Sequence, residues 1–373
     1  MSLYIKLLFA VLTLLLSFSC AEQKPSTVQE QPVESSPLQP IYVTDSVPSD
    51  SDDPAVWINH DNPANSLILG TDKGDSDVGI AGGLYVFNLK GEVQSDKCIR
   101  NLERPNNVDV EYGFNLNGTL VDIAVVTLRG ADKIRIFRLP EMEPLDNGGI
   151  PVFATEAPEQ RKPMGISMYK RPSDGAVFAV LSRKNGPPGR YLWQYLLNAE
   201  SDNSISIKKV REFGDYSGGD GEVEAIVVDD KPGYIYYSDE LKGVRKYHAD
   251  PAHPDASKEL ALFATSDFAS DREGLSIYEL NDEAGYILVS DQQANKFRIF
   301  PREGTADNPH EHKLLKVVDV MTQESDGSET ISLPLGPDFP NGLFIAMSET
   351  KNFYIYSWET IAGGELLLRS DTN

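Results

Sequence analysis

The chain has 373 residues, 57 of them acidic and 34 basic, for a formal charge of −23. So few cations exclude nucleic acid as the leading partner, because neutralising a phosphate backbone needs a basic face. At 40% hydrophobic and 24% charged, the composition excludes disorder throughout and supplies enough apolar material for a sizeable core.

The opening segment MSLYIKLLFAVLTLLLSFSC places Lys6 ahead of an apolar run from Leu7 to Leu16. That run is too short to span a bilayer and has the length of a signal-peptide core. Ser19-Cys20 resembles a bacterial lipoprotein cleavage site, with Cys20 as the lipidated new N-terminus. Ser17 stands where such sites usually carry Leu, so secreted or periplasmic release is the alternative. Residues 21–40, with Pro25, Pro32, Pro37 and Pro40, read as a semi-rigid unfolded tether. The expected location is extracytoplasmic, on a bacterial outer membrane, reached only through the lipid. Once Cys20 is acylated, Cys98 has no intrachain partner, so no disulfide is expected and Cys98 reads as a small buried hydrophobe.

Beyond residue 50 no apolar run keeps helical spacing. Short β-branched and aromatic stretches bounded by Gly, Asp, Asn and Pro recur instead, as in a protein of many short strands. Aligned, they form a repeat: DPAVWINHDNPANSLILGTDK, NNVDVEYGFNLNGTLVDIAVVTLR, MGISMYKRPSDGAVFAVLSRK, VEAIVVDDKPGYIYYSDE, EGLSIYELNDEAGYILVSDQ and NGLFIAMSETKNFYIYSW. First strands are predicted near residues 53, 107, 164, 223, 274 and 342, roughly 50 to 70 apart. Units of this size that cannot bury both faces alone stack radially, which predicts an all-β, six-bladed β-propeller over residues 41–373. Ile41 to Asp45 is the candidate strand for closing the ring.

In an antiparallel hairpin the start of one strand and the end of the next share an edge. With the first strand innermost, both positions from every blade ring one mouth of the central channel. Strand starts offer Asp52, Asp53, Asn107, Asp109, Met164, Glu222, Glu224, Asp271, Glu273 and Asn341. Strand ends offer Asp72, Lys73, Arg129, Arg183, Lys184, Asp239, Glu240, Asp291, Gln292 and Glu349. Converging carboxylates without His or Cys are ligands for a hard cation such as calcium, and left bare they would raise one another's pKa. Lys73, Arg129 and Lys184 beside them suit a phosphorylated substrate, Arg129 as a fork and the lysines as point charges. Divalent metal next to phosphate-binding cations favours phosphoryl transfer to water. The five histidines show no zinc spacing and read as exposed, and neither a Gly-x-Ser-x-Gly elbow nor a P-loop occurs.

The string Asp52-Asp53-Pro54-Ala55-Val56-Trp57, then Gly70-Thr71-Asp72-Lys73 and Asn106-Asn107-Val108-Asp109, resembles the β-propeller phytases. Val223-Glu224-Ala225, Asp229-Asp230, Glu273-Gly274-Leu275-Ser276-Ile277-Tyr278, Gln292 and Leu335-Gly336-Pro337 extend the resemblance in consistent order over roughly residues 45 to 360. It implies a calcium-dependent enzyme acting on inositol hexakisphosphate through a calcium-activated water, without a covalent intermediate. Glu224, Glu240, Asp271, Glu273 and Gln292 would hold catalytic calcium, with Glu224, Glu273 and Asp271 closest to the chemistry. Lys73, Arg129 and Lys184 would bind phosphate, Asp53, Asn107 and Asp109 would be calcium-associated, and Asp326 would line the site.

Four departures stand out. Met164 replaces a phosphate-facing tyrosine, Asn185 an acid after Lys184 and Glu111 an arginine, and the acidic loop before the last blade is thinned to Glu324, Asp326 and Glu329. Met164 and Asn185 sustain an alternative in which a catalytically weakened phytase-like propeller binds ligand or calcium without turnover, and under either reading the chain is expected to be a monomer. A metal-dependent lactonase is a third reading.

Overall fold

The computed structural model describes residues 36–219 and 221–369. The signal segment, Cys20 and most of the predicted tether lie outside these residues. Six antiparallel sheets are arranged as six blades. The first three blades are Ser51–Trp57, Leu67–Asp72, Gly82–Asn88 and Ile99–Leu102; Pro105–Leu116, Thr119–Leu128, Lys133–Leu139 and Ile150–Pro151; and Pro163–Lys170, Val177–Arg183, Leu192–Ala199 and Ile205–Phe213. The fourth and fifth are Ile226–Asp229, Tyr234–Asp239, Gly243–His248 and Ala261–Phe263; and Leu275–Glu279, Gly285–Asp291, Lys296–Pro301 and Lys316–Asp319. Among the described residues the one α-helix is the short Trp358–Ala362.

The sixth blade corrects the sequence-based register. Its inner strand is Ser328–Ile331, and the hairpin Leu343–Ser348 and Asn352–Ser357 forms its second and third strands. The apolar hairpin carries the stronger strand signal, whereas the inner strand is four residues of Ser-Glu-Thr-Ile beside a polar channel. Asn341 consequently lies at the far end of the blade, where its side chain donates to Glu359 at 2.5 Å. Asp326 takes its place at the strand start. Tyr42–Val43 pairs with Asn352–Ser357 as the outer strand of this blade, so the first described segment closes the ring as expected. Leu38 adds a parallel bridge to Val320 of the fifth blade.

The core is divided among the six junctions between neighbouring blades. Both faces of a blade are therefore buried, which is why second strands such as Val177–Arg183 are buried from end to end instead of alternating. Close approach demands glycine at Gly165, where a Cβ would overlap the Glu224 carbonyl oxygen of the next blade.

A hydroxyl recurs two residues before the second-strand residue that reaches the mouth: Thr71 before Lys73, Thr127 before Arg129, Ser182 before Lys184, Ser238 before Glu240 and Ser290 before Gln292. Thr127 Oγ1 donates to the Met164 carbonyl at 2.7 Å, Ser182 Oγ to Val223 at 2.5 Å and Ser290 Oγ to Ser325 at 2.8 Å. Ser238 Oγ does the same to Arg272. Each acceptor immediately precedes Gly165, Glu224, Asp326 or Glu273, so one blade's hydroxyl sets where the next blade begins.

Candidate active site

At the mouth formed by strand starts and second-strand ends, side chains alternate in direction as the pleat requires. The first residue of each second-strand end turns into its blade. Asp239 holds Arg245 at 2.8 Å, Asp291 holds Arg298 at 2.8 Å, and Asp72 accepts the Asp50 and Gly74 amides at 2.8 and 3.0 Å. The second residue reaches the mouth, which sorts structural clips from site residues.

Lys73 stands among carboxylates, its Nζ 3.0 Å from Asp52, 3.0 Å from Asp326 and 3.6 Å from Asp50. Burial opposes its charge, but Asp52 and Asp326 more than compensate and hold the ammonium above the ordinary lysine range. Asp326 also accepts from Gln292 at 2.7 Å and shares a hydrogen bond with Glu273. Glu224 accepts from Asn106 at 2.5 Å, while Asp271 is braced by Gln293 at 2.7 Å. Across the mouth, Glu222 pairs with Lys184 and lies 4.0 Å from Arg129. Burial and the nearby Arg129 charge press the Lys184 ammonium below its usual value.

The acids repel. Burial, then Asp52, push Glu224 up to about 8; burial, then Asp271, push Glu240 up to about 8. Glu273 is raised well above its usual value by burial and Asp326, and Asp326 itself is raised to about 6, chiefly by burial. Asp52 Oδ2 and Asn106 Oδ1 are buried here without a hydrogen-bond partner. Among the described residues no three His, Cys, Asp or Glu side chains are already drawn together as a metal-ligand set. The donor chemistry nevertheless fits a hard cation: every candidate atom is an oxygen, two are orphaned, and the excess negative charge is relieved by a divalent ion.

Of the predicted residues, Lys73, Arg129, Lys184, Glu224, Glu240, Asp271, Glu273, Gln292 and Asp326 meet at this mouth. Asp53, Asn107 and Asp109 instead line a central cavity of about 530 Å³ together with Glu111, Asp230 and Glu329. Asp53 accepts the Val108 amide at 3.0 Å, and Asp109 accepts the Met168 amide at 2.7 Å and the Ser167 hydroxyl at 2.9 Å, so both brace neighbouring inner strands. Asn107 Oδ1 is buried and unpartnered there. Register shifts at Ser51/Pro54 and Pro105/Val108 turn Asp52 and Asn106 to the mouth and Asp53 and Asn107 to the channel. Strand periodicity does not signal those bulges, so Asn106 was missed; the recurring hydroxyls could have been found by aligning second-strand ends.

His312 departs from the expected exposure. It is buried, its Nδ1 2.7 Å from the Pro301 carbonyl and its Nε2 3.3 Å from Lys246 Nζ, and burial lowers its pKa to about 4. Cys98 is half-buried against the core of the sixth and first blades, its sulfur 3.4 Å from the Val86 amide.

Lysine, arginine and clustered carboxylates at one mouth of a six-bladed propeller are the groups that a hydrolase of phosphoric monoesters requires. The chain belongs to the Phytase family, whose model matches residues 5–370. It is 28% identical over 330 residues to the 3-phytase of Bacillus subtilis (strain 168), covering 84% of this chain and 80% of that one. Among solved structures, a luciferin-regenerating enzyme aligns with a TM-score of 0.48 at 13% identity, over 83% of this chain and 91% of its own. A chain of a mitotic checkpoint complex aligns with a TM-score of 0.48 at 10% identity, over 92% and 98%. Neither carries a functional argument.

Proposed function

We propose that the protein is a calcium-dependent phytase that releases inorganic phosphate from myo-inositol hexakisphosphate. The observation that carries this reading is that cations from both half-sites act on one carboxylate cluster: Lys73 bridges Asp52 and Asp326 and acts on Glu224, while Lys184, beside Arg129, acts on Glu224 and Glu240. Arg129 offers a planar fork to phosphate oxygens, and Lys73 and Lys184 add point charges that offset the phosphate's negative charge. Glu224, Glu240, Asp271, Glu273, Gln292 and Asp326, with Asp52, would hold the calcium. When bound, calcium supplies a water of lowered pKa and shields charge on the phosphoryl oxygens. Asp326 and Gln292 orient one another, while Ser182 and Ser290 fix the backbone that presents Glu224 and Asp326. The raised carboxyl pKa values mean that part of this cluster keeps its protons near neutrality until a cation replaces them, so activity should rise from pH 6 to 8.

Phosphate release from calcium phytate by the mature chain, with and without chelator, tests the reading. Loss with chelator and recovery with calcium is expected; release indifferent to chelator overturns the metal role. No release at any calcium concentration favours the binding-only alternative, which Met164 at the third blade supports. The leader and Ser-Phe-Ser-Cys20 support an extracytoplasmic, lipid-anchored location, tested by labelling with a fatty-acid analogue before and after Cys20→Ala.

A further inference from the structure

Glu222 lies in the connection entering the fourth blade, two residues before Glu224, and has no role in the scheme above. Its carboxylate spans two cations, touching Lys184 Nζ with one oxygen and standing 4.0 Å from Arg129 Nη1 with the other. Among the described residues these are the ion pairs made by Lys184 and Arg129. The backbone at Glu222 is fixed, its amide donating to Glu240 Oε2 at 2.7 Å. The side chain is still 20% exposed, so it can swing into solvent without breaking that anchor. Met164, wholly buried, places only its sulfur against Arg129 at 2.9 Å and brings no charge.

An anion with two oxygens spread over a guanidinium and an ammonium is what a phosphomonoester would present to the same pair. We propose that Glu222 is an internal competitor for substrate phosphate, occupying the Arg129–Lys184 subsite until a phosphorylated ligand displaces it. This rests on the phosphatase reading of the mouth and makes Glu222 a residue that sets specificity. A ligand competing with a tethered carboxylate sees its affinity reduced by the fraction of open subsite. A simple phosphomonoester bears that loss in full. An ester with several phosphates recovers it, because other phosphates engaged at the mouth raise the local concentration of the one entering this subsite. Glu222 therefore selects polyphosphorylated esters over simple ones.

Calorimetric titration of inorganic phosphate into the chelator-treated full chain tests this independently of turnover. Glu222→Gln and Glu222→Ala should each bind phosphate about tenfold tighter, as for a subsite about one-tenth open in the wild type. Adding Arg129→Ala to Glu222→Gln should remove the gain. With calcium restored, Glu222→Gln should lower KM for p-nitrophenyl phosphate more than KM for inositol hexakisphosphate, with the change in KM and not kcat. Unchanged or weaker phosphate binding in both single variants overturns the proposal. Tighter binding in those variants, alongside a wild type that hydrolyses no ester, leaves the competitor standing and removes the phosphatase reading.

Discussion

Replacing Glu224 with glutamine should stabilise the metal-free protein at alkaline pH, although the residue sits at the centre of the site. Glutamine keeps the shape and the oxygen that accepts from Asn106, and it removes a charge held against Asp52, Asp326 and Glu240. A carboxyl whose native pKa lies above its unfolded value binds its proton more tightly when folded. Its contribution is therefore absent below about pH 4.5 and increasingly unfavourable as pH rises towards about 8. Displacement from 4.5 to about 8 corresponds to roughly 4–5 kcal/mol at full ionisation. Protons held by Glu240 or Asp326 relieve part of the same repulsion, leaving roughly 2–3 kcal/mol as the share of Glu224. For a domain this large that is roughly 3–4 °C in Tm. Thermal melts in chelator at about pH 8.5 and about pH 4 should show the variant melting higher at the first and equal to wild type at the second. In millimolar calcium the order should reverse, because a cation bound only by the native state stabilises it by mass action and the variant lacks one ligand charge. A variant that melts lower than wild type by the same amount at both pH values would refute the reasoning.

Two further outcomes follow from buried partners. Arg302, wholly buried, holds Asp229 of the fourth blade at 2.6 and 2.5 Å, so Arg302→Met should cost about 3–5 kcal/mol by leaving that carboxylate unpaired. Calorimetry should show the loss and its partial recovery on adding Asp229→Asn. Ser182→Ala removes both the acceptor of the Gly165 amide and the donor to the Val223 carbonyl; about 1–3 kcal/mol of stability should go, with phosphate release falling because Glu224 is no longer held in place.

How far the site was legible follows the geometry of each residue. Lys73, Arg129, Lys184, Glu240 and Gln292 end well-marked second strands, so alignment of the repeats places them at one mouth. Glu224 and Glu273 follow from the inner strands they precede. Asp52 against Asp53, and Asn106 against Asn107, are decided by bulges that reverse side-chain direction with no change in composition. His312 read as exposed because a polar loop says nothing about the neighbouring blade that covers it.

The amino-acid sequence by itself determined the six-bladed propeller, its closing strand and the pairing of a basic with an acidic arc, since strand length, turn residues and repeat spacing are local properties. Only the tertiary structure decided that Ser328–Ile331, not the hairpin after it, is the sixth inner strand, that Asp326 completes the ring, and that Glu222 lies across Arg129 and Lys184. Those facts depend on how blades pack around a common axis. A short polar strand or a single carboxylate acquires its role there from neighbours far away in the chain.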